Sequence, residues 1–277
     1  MYTIRSRLLV IVLLAATTGC LVSLKFINPY GGAAGLSEVL MQLSGSRGSF
    51  ELELHAQALL GFSMRFFPVF LCCAYTGIQM YRYYCRASIY IFSRISRRTG
   101  WFLKEFLILL GSAALFEAVF LASALLTAAI RFQVSVRTEG LVLCLWHLVI
   151  YTLWITAMSC LVTVLAVRLG SAAAYTVTAG LQFLFIAAMS PLNRISDDTV
   201  RTGRILAWNP MARLVAGWQS SGLPALNGEL HSPYPGITLS GSLLYVGIIC
   251  LACAAAAGFV VRFHDLIMTN SEESGGM

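Results

Sequence analysis

Six stretches of this chain are too long and too apolar to serve as the core of a soluble domain. They run over about 8–26, 58–80, 106–130, 141–167, 172–190 and 243–261. Each is on the order of the ~18–20 residues that a helix needs to cross a ~30 Å hydrocarbon layer. Charged residues make up only 11% of the chain, against about 25% in soluble domains. The mean hydropathy is +0.78. Most of the surface therefore has lipid as its solvent. The expectation is an all-α polytopic membrane protein with six transmembrane helices, built as a single transmembrane domain over 1–277.

The breaks between the runs fit that division. Asn28-Pro29-Tyr30-Gly31-Gly32 ends the first, and Pro191 closes the fifth. Arg168-Leu169-Gly170-Ser171 reads as a tight turn between the fourth and fifth. Pro68 falls inside the second, which a membrane helix tolerates when neighbours satisfy the freed carbonyl. Residues 28–57 and the outer loop 192–240 read as polar connections. Thr17-Thr18-Gly19-Cys20 distantly resembles a lipoprotein cleavage site, but Thr17 stands where Leu is usual and the apolar run continues. The first run is expected to remain as a span.

The formal net charge of +7 reflects basic loops flanking the spans and gives no ground for nucleic-acid binding. An even number of spans puts both termini on one side. Arg5, Arg7, the block of Arg82, Arg86, Arg94, Arg97, Arg98 and Lys104, and then Arg168 and Arg262 share that side. Their density makes it the cytoplasmic one. The eight cysteines fall almost all within apolar runs, and the Cys250-x-x-Cys253 spacing lies in one without a histidine or second pair nearby. They read as small hydrophobes rather than as disulfide, redox or metal groups.

Catalysis at membrane depth needs a Ser–His dyad, paired aspartates or clustered metal ligands, and none of those patterns occurs. No G-x-x-x-x-G-K-[ST] phosphate loop occurs either, so the chain is expected not to be an enzyme and to hold no cofactor or metal. The ionisable residues well inside the spans are Arg65, Glu117 and His147. At 1.5 Å per residue, Arg65 lies roughly 9–11 Å, Glu117 roughly 16–20 Å and His147 roughly 9 Å below the outer span ends. Arg65 can reach Glu117 if their helices are neighbours, with His147 as a polar helix contact. Such a group either fixes helix packing or lines a substrate path, because charge at this depth is costly. Tyr175, Thr178 and Gln182 form a polar stripe at i, i+3 and i+7 of the fifth span. It serves either as hydrogen-bonding glue or as a pathway face.

Residues 81–105 interleave their arginines with Tyr90, Phe92, Ile95, Trp101 and Phe102. That mixture suits a short interfacial helix, either anchored in lipid or docked to a cytosolic partner. With this segment the layout resembles the type-2 ABC transporter permeases, particularly the small subunits of bacterial peptide-antibiotic and multidrug efflux and immunity systems. Ile91-Phe92-Ser93-Arg94-Ile95-Ser96-Arg97-Arg98-Thr99-Gly100-Trp101-Phe102-Leu103-Lys104 is similar to the family's passage into span three. Ala207-Trp208-Asn209-Pro210-Met211-Ala212-Arg213-Leu214 is similar to its Asn-Pro segment before the last span. The short stretch before span one departs from the elbow helix common in that family.

The resemblance implies a permease subunit of an ATP-driven exporter in the cell membrane, moving an amphipathic peptide, antibiotic or lipid-like substrate. A separate cytosolic ATPase subunit would bind ATP and Mg, and the permease would pair with itself or a sister permease. Arg86, Arg94, Arg97 and Arg98 would be its ATPase-coupling contacts, and spans one, two and five would surround the path. The rival readings are a non-transporting assembly or immunity factor and a subunit of an ion-coupled carrier.

Overall fold

The computed structural model describes residues 4–29, 32–45, 55–90, 98–192, 199–230 and 236–263. Its elements, in chain order, are α1 (Ile4–Phe26), β1 (Ala33–Gly35), α2 (Leu36–Ser44), α3 (His55–Tyr90) and α4 (Arg98–Arg131). There follow β2 (Gln133–Ser135), α5 (Thr138–Leu169), α6 (Ser171–Leu192) and α7 (Thr199–Leu206). Two 3-10 turns, Ala212–Leu214 and Ala216–Trp218, then lead through α8 (Pro224–Glu229) to α9 (Leu239–Phe263). Six of the helices, α1, α3, α4, α5, α6 and α9, are long and apolar enough to cross a membrane. The chain is thus an all-α polytopic membrane protein, as its apolar runs predict.

Hydropathy places the crossings well but misses helix length at one point. Residues 81–90 continue α3, and residues 98–105 are the first turns of α4, so the described parts of segment 81–105 are extensions of two spans. Residues 82–90 and 98–104 belong to these two long helices, and residues 91–97 of the expected interfacial segment lie outside the described residues. The reason is local. No Gly or Pro interrupts 81–90, arginine is a good helix former, and long basic and aromatic side chains can lie at an interface without ending the helix. Tyr84 and Trp101, with ring centroids 6.3 Å apart, pack together where the two helices approach. Tyr84 also donates to the Val260 carbonyl of α9 at 3.3 Å. The expected turn between the fourth and fifth spans is present: Gly170 adopts φ 79°, and its N–H bonds to Ala166 O at 3.0 Å. A left-handed φ of this kind is open to glycine at little cost.

The bundle is organised around α5. About two thirds of its apolar stretch is buried (67%), against 28–39% for the other five spans, and it touches α3, α4, α6 and α9. Ile150, Trp154 and Ile155 of α5 fill the centre. Small residues set the closest approaches, because lipid supplies no hydrophobic drive between helices. A Cβ on Gly77 of α3 would lie 2.8 Å from Val162 Cβ of α5, and one on Gly19 of α1 would lie 2.6 Å from the Phe120 carbonyl oxygen of α4. Hydroxyls join the same interfaces. Ser23 donates to Ala124 O at 2.9 Å, and Thr76 and Ser159 share a 2.7 Å hydrogen bond.

The side opposite the termini carries a compact cap. β1 and β2 pair in parallel, in the register Ala33–Gln133, Ala34–Val134 and Gly35–Ser135. α2 lies beneath them with Val39, Leu40 and Leu43 buried. By composition this stretch reads as a polar connection. Its apolar residues Leu36, Val39, Leu40 and Leu43 nevertheless recur at i, i+3, i+4 and i+7, a helical face among polar neighbours. The two 3-10 turns bury Met211, Leu214, Val215 and Trp218 against the bundle.

Candidate functional site

Arg65, Glu117 and His147 come from three different spans, α3, α4 and α5, and all three line one enclosed cavity of 10 Å³. That is about the space of a single water. Leu43 of α2 and Pro68, Val69, Phe120 and Tyr151 complete the wall. Glu117 and His147 are 1% and 2% exposed. Counting from Thr138, His147 lies about 14 Å along α5.

The partner that the structure gives Glu117 is His147, which sequence reasoning treats as a separate polar contact. Nε2 of His147 lies 3.0 Å from Oε1 of Glu117. The approach lacks hydrogen-bond alignment, and Nδ1 and Nε2 of His147 and Oε1 of Glu117 have no aligned partner among the described residues. The imidazole stacks on Tyr151, centroids 4.0 Å apart and planes 18° from parallel. Tyr151 sits one turn further along α5, which fixes that stacking. Its hydroxyl donates to the Leu214 carbonyl at 3.2 Å, connecting the pair to the outer-loop turns. Tyr151 is the residue that sequence reasoning missed here, although its i, i+4 spacing from His147 was available.

Arg65 is held by the cap. Its Nε donates to Gln42 O at 3.0 Å, and its guanidinium lies 4.2 Å from the Phe26 ring centroid. A carboxylate beside an imidazole can hold or pass a proton, and in an enclosed apolar wall such a contact is electrostatically strong.

The polar stripe of α6 faces inward. Thr178 and Gln182 are buried, and Tyr175 is half-buried. Gln182 Oε1 accepts from the Trp154 indole at 3.0 Å, while Thr178 Oγ1 donates to Ala174 O at 2.9 Å. The stripe is thus tied into the α5–α6 interface.

The Asn-Pro segment has a structural account. Asn209 Oδ1 accepts from the N–H groups of Met211 and Ala212 at 2.9 and 3.4 Å, and its amide donates to Phe185 O of α6 at 2.7 Å. Arg213 follows, donating through Nε to Ala207 O at 2.6 Å, with its guanidinium 4.5 Å from the Tyr245 ring. Partial burial pulls the Arg213 guanidinium below its ordinary value, with Tyr245 opposing.

Of the arginines in the basic segment, Arg98 opens α4 and is half-buried. Arg94 and Arg97, and the side chain of Arg86, lie outside the described residues. Among the described residues, no three His, Cys, Asp or Glu side chains gather into a metal site. No protein-family model, curated protein or solved structure matches this chain.

Proposed function

We propose that the chain is the membrane-spanning permease subunit of an ATP-driven exporter in the cell membrane, working with a separate cytosolic ATPase. The observation that carries this reading is an adjacency. α3 contacts both α1 and α6, so the three spans that the resemblance assigns to a substrate path are consecutive neighbours in the bundle. The centre of a single copy is filled by α5, which favours a path between two copies over one through the middle of each. The buried turns around Asn209 and Trp218 agree with an outer loop that dips towards the membrane. The substrate class that fits is an amphipathic peptide, antibiotic or lipid-like molecule, since the available faces are apolar. Arg86, Arg94, Arg97 and Arg98 are the proposed coupling contacts, where a dense basic segment meets the ATPase.

The test is co-expression with an ATPase encoded beside the gene, followed by affinity capture and ATP hydrolysis in lipid. The ATPase should co-purify, and its hydrolysis should rise when the permease is present. Reversing Arg94, Arg97 and Arg98 to Glu should abolish both effects while leaving the permease folded. A wild-type chain that neither retains nor stimulates any such ATPase overturns the reading.

The Glu117–His147 contact favours a second reading, an ion-coupled carrier. Uptake or efflux in vesicles driven by a proton gradient alone, and lost in Glu117→Gln, would put that reading first.

A further inference from the structure

A second cavity, of 160 Å³, opens between α1, α3 and α4 near the end of the bundle that carries the termini. Its charged groups are Arg7 of α1 and Lys104 and Glu105 of α4. The Arg7 guanidinium is set in place over the Tyr83 ring of α3, 3.4 Å from the centroid. Among the described residues that line it, two cations thus face one carboxylate. Beyond the charged groups the walls are mostly apolar, with Tyr75 and Gln79 among the polar lining residues. Thr76 and Ser112 also face the space, but their hydroxyls donate to Cys72 O and Ile108 O, both at 2.7 Å. The space is comparable with cavities that accept a benzene-sized group, enough for a phosphodiester with its first glycerol carbons.

A shallow groove on the outer face of α4 adjoins this cavity, and the two share Lys104 and Ile108 as walls. Gly100, Leu103 and Leu107 complete it. Leu103 and Leu107 are well exposed, and a Cβ on Gly100 would meet nothing within 4 Å. A positive recess thus adjoins an apolar, bilayer-facing channel along one helix.

From this adjacency we infer a binding site for an anionic phospholipid of the leaflet on the terminal side. Its phosphate lies between Arg7 and Lys104, and an acyl chain lies along Leu103, Leu107 and Ile108. The excess of basic over acidic side chains among the described lining residues suits an anionic headgroup such as that of phosphatidylglycerol. The arrangement follows the general rule by which basic pockets between membrane helices select anionic lipids. The inference does not depend on a partner ATPase and stands apart from the proposed transport activity.

Native mass spectrometry of the delipidated full chain, with phosphatidylglycerol or phosphatidylcholine of identical acyl chains, tests it. The wild type should retain phosphatidylglycerol about tenfold more than phosphatidylcholine, since each basic residue near the bilayer surface strengthens anionic-lipid binding severalfold. Arg7→Gln with Lys104→Gln should erase that preference, and Arg168→Gln on the same side of the membrane should keep it. Glycerol 3-phosphate alone should not displace the lipid, which separates a lipid site from a phosphate site. Equal retention of the two lipids, a preference unchanged in the double variant, or displacement by glycerol 3-phosphate overturns the inference. Should the double variant fail to fold, Gly100→Trp decides. Its side chain enters open space beside the groove, so the protein should melt as wild type does and lose most of the retained phosphatidylglycerol. Wild-type retention in that folded variant overturns the assignment.

Discussion

Arg65, Glu117 and His147 can be identified as costly residues from their position in apolar runs, but which of them meet cannot. The runs give depth along each helix and nothing about rotation around it, and rotation is what puts Nε2 of His147 3.0 Å from Glu117. Tyr151 escapes notice for a related reason: an aromatic in a membrane helix is ordinary until its ring is seen stacked on the imidazole. The pair has a consequence for stability. The 3.0 Å approach is electrostatic rather than an aligned hydrogen bond, and removing one partner leaves the other polar group buried without that neighbour. Glu117→Leu and His147→Leu should therefore each lower the melting temperature in detergent. The double variant should melt higher than the sum of the single losses allows, with a coupling of about 0.5–3 kcal/mol. Strictly additive losses would mean that the 3.0 Å contact contributes nothing to folding.

At the scale of elements, the six crossings were legible because hydrocarbon imposes a length and a composition that few other environments demand. Their ends were less so. Apolarity stops near residue 80, while α3 runs to Tyr90 on residues that are polar yet helix-compatible. The cap was hidden further, since α2 carries its face in a single short helix flanked by charges. Contacts between spans were not readable at all, because a glycine that permits close approach looks like any other glycine. Gly77 and Gly180 make the point: a Cβ at the first would press on Val162, and one at the second would meet nothing within 4 Å. Gly77→Leu should force α3 away from α5, break the Thr76–Ser159 hydrogen bond and cost about 1–3 kcal/mol or more through overpacking. Gly180→Leu, on an exposed position, should leave the melting temperature within a degree or two of wild type, as a surface change does. Equal effects from the two substitutions would contradict the packing of α3 on α5.

For the whole molecule, the decisive property is the alternation of helix ends. Six crossings place Ile4, Tyr90, Arg98, Leu169, Ser171 and Phe263 at one face, and the cap, the 3-10 turns and α8 at the other. The side-chain contacts agree from both ends. Arg7 reaches Tyr83 and Tyr84 reaches Val260 on the first face, while Arg131 donates to Leu24 O at 3.2 Å on the second. Since basic residues crowd the terminal face in short segments, that face should be cytoplasmic. Two exposed positions report on this without disturbing the fold. Thr99 lies in the first turn of α4, and Gly222 lies in the outer connection with open space around it. In intact cells, a membrane-impermeant maleimide should label Gly222→Cys and leave Thr99→Cys unmodified until the cells are lysed. The reverse pattern would invert the orientation and place the basic segment away from any cytosolic ATPase. Labelling of both positions from one side would go deeper, because an odd number of crossings lies between them, α4, α5 and α6, and no reorientation of the bundle could bring both to the same side.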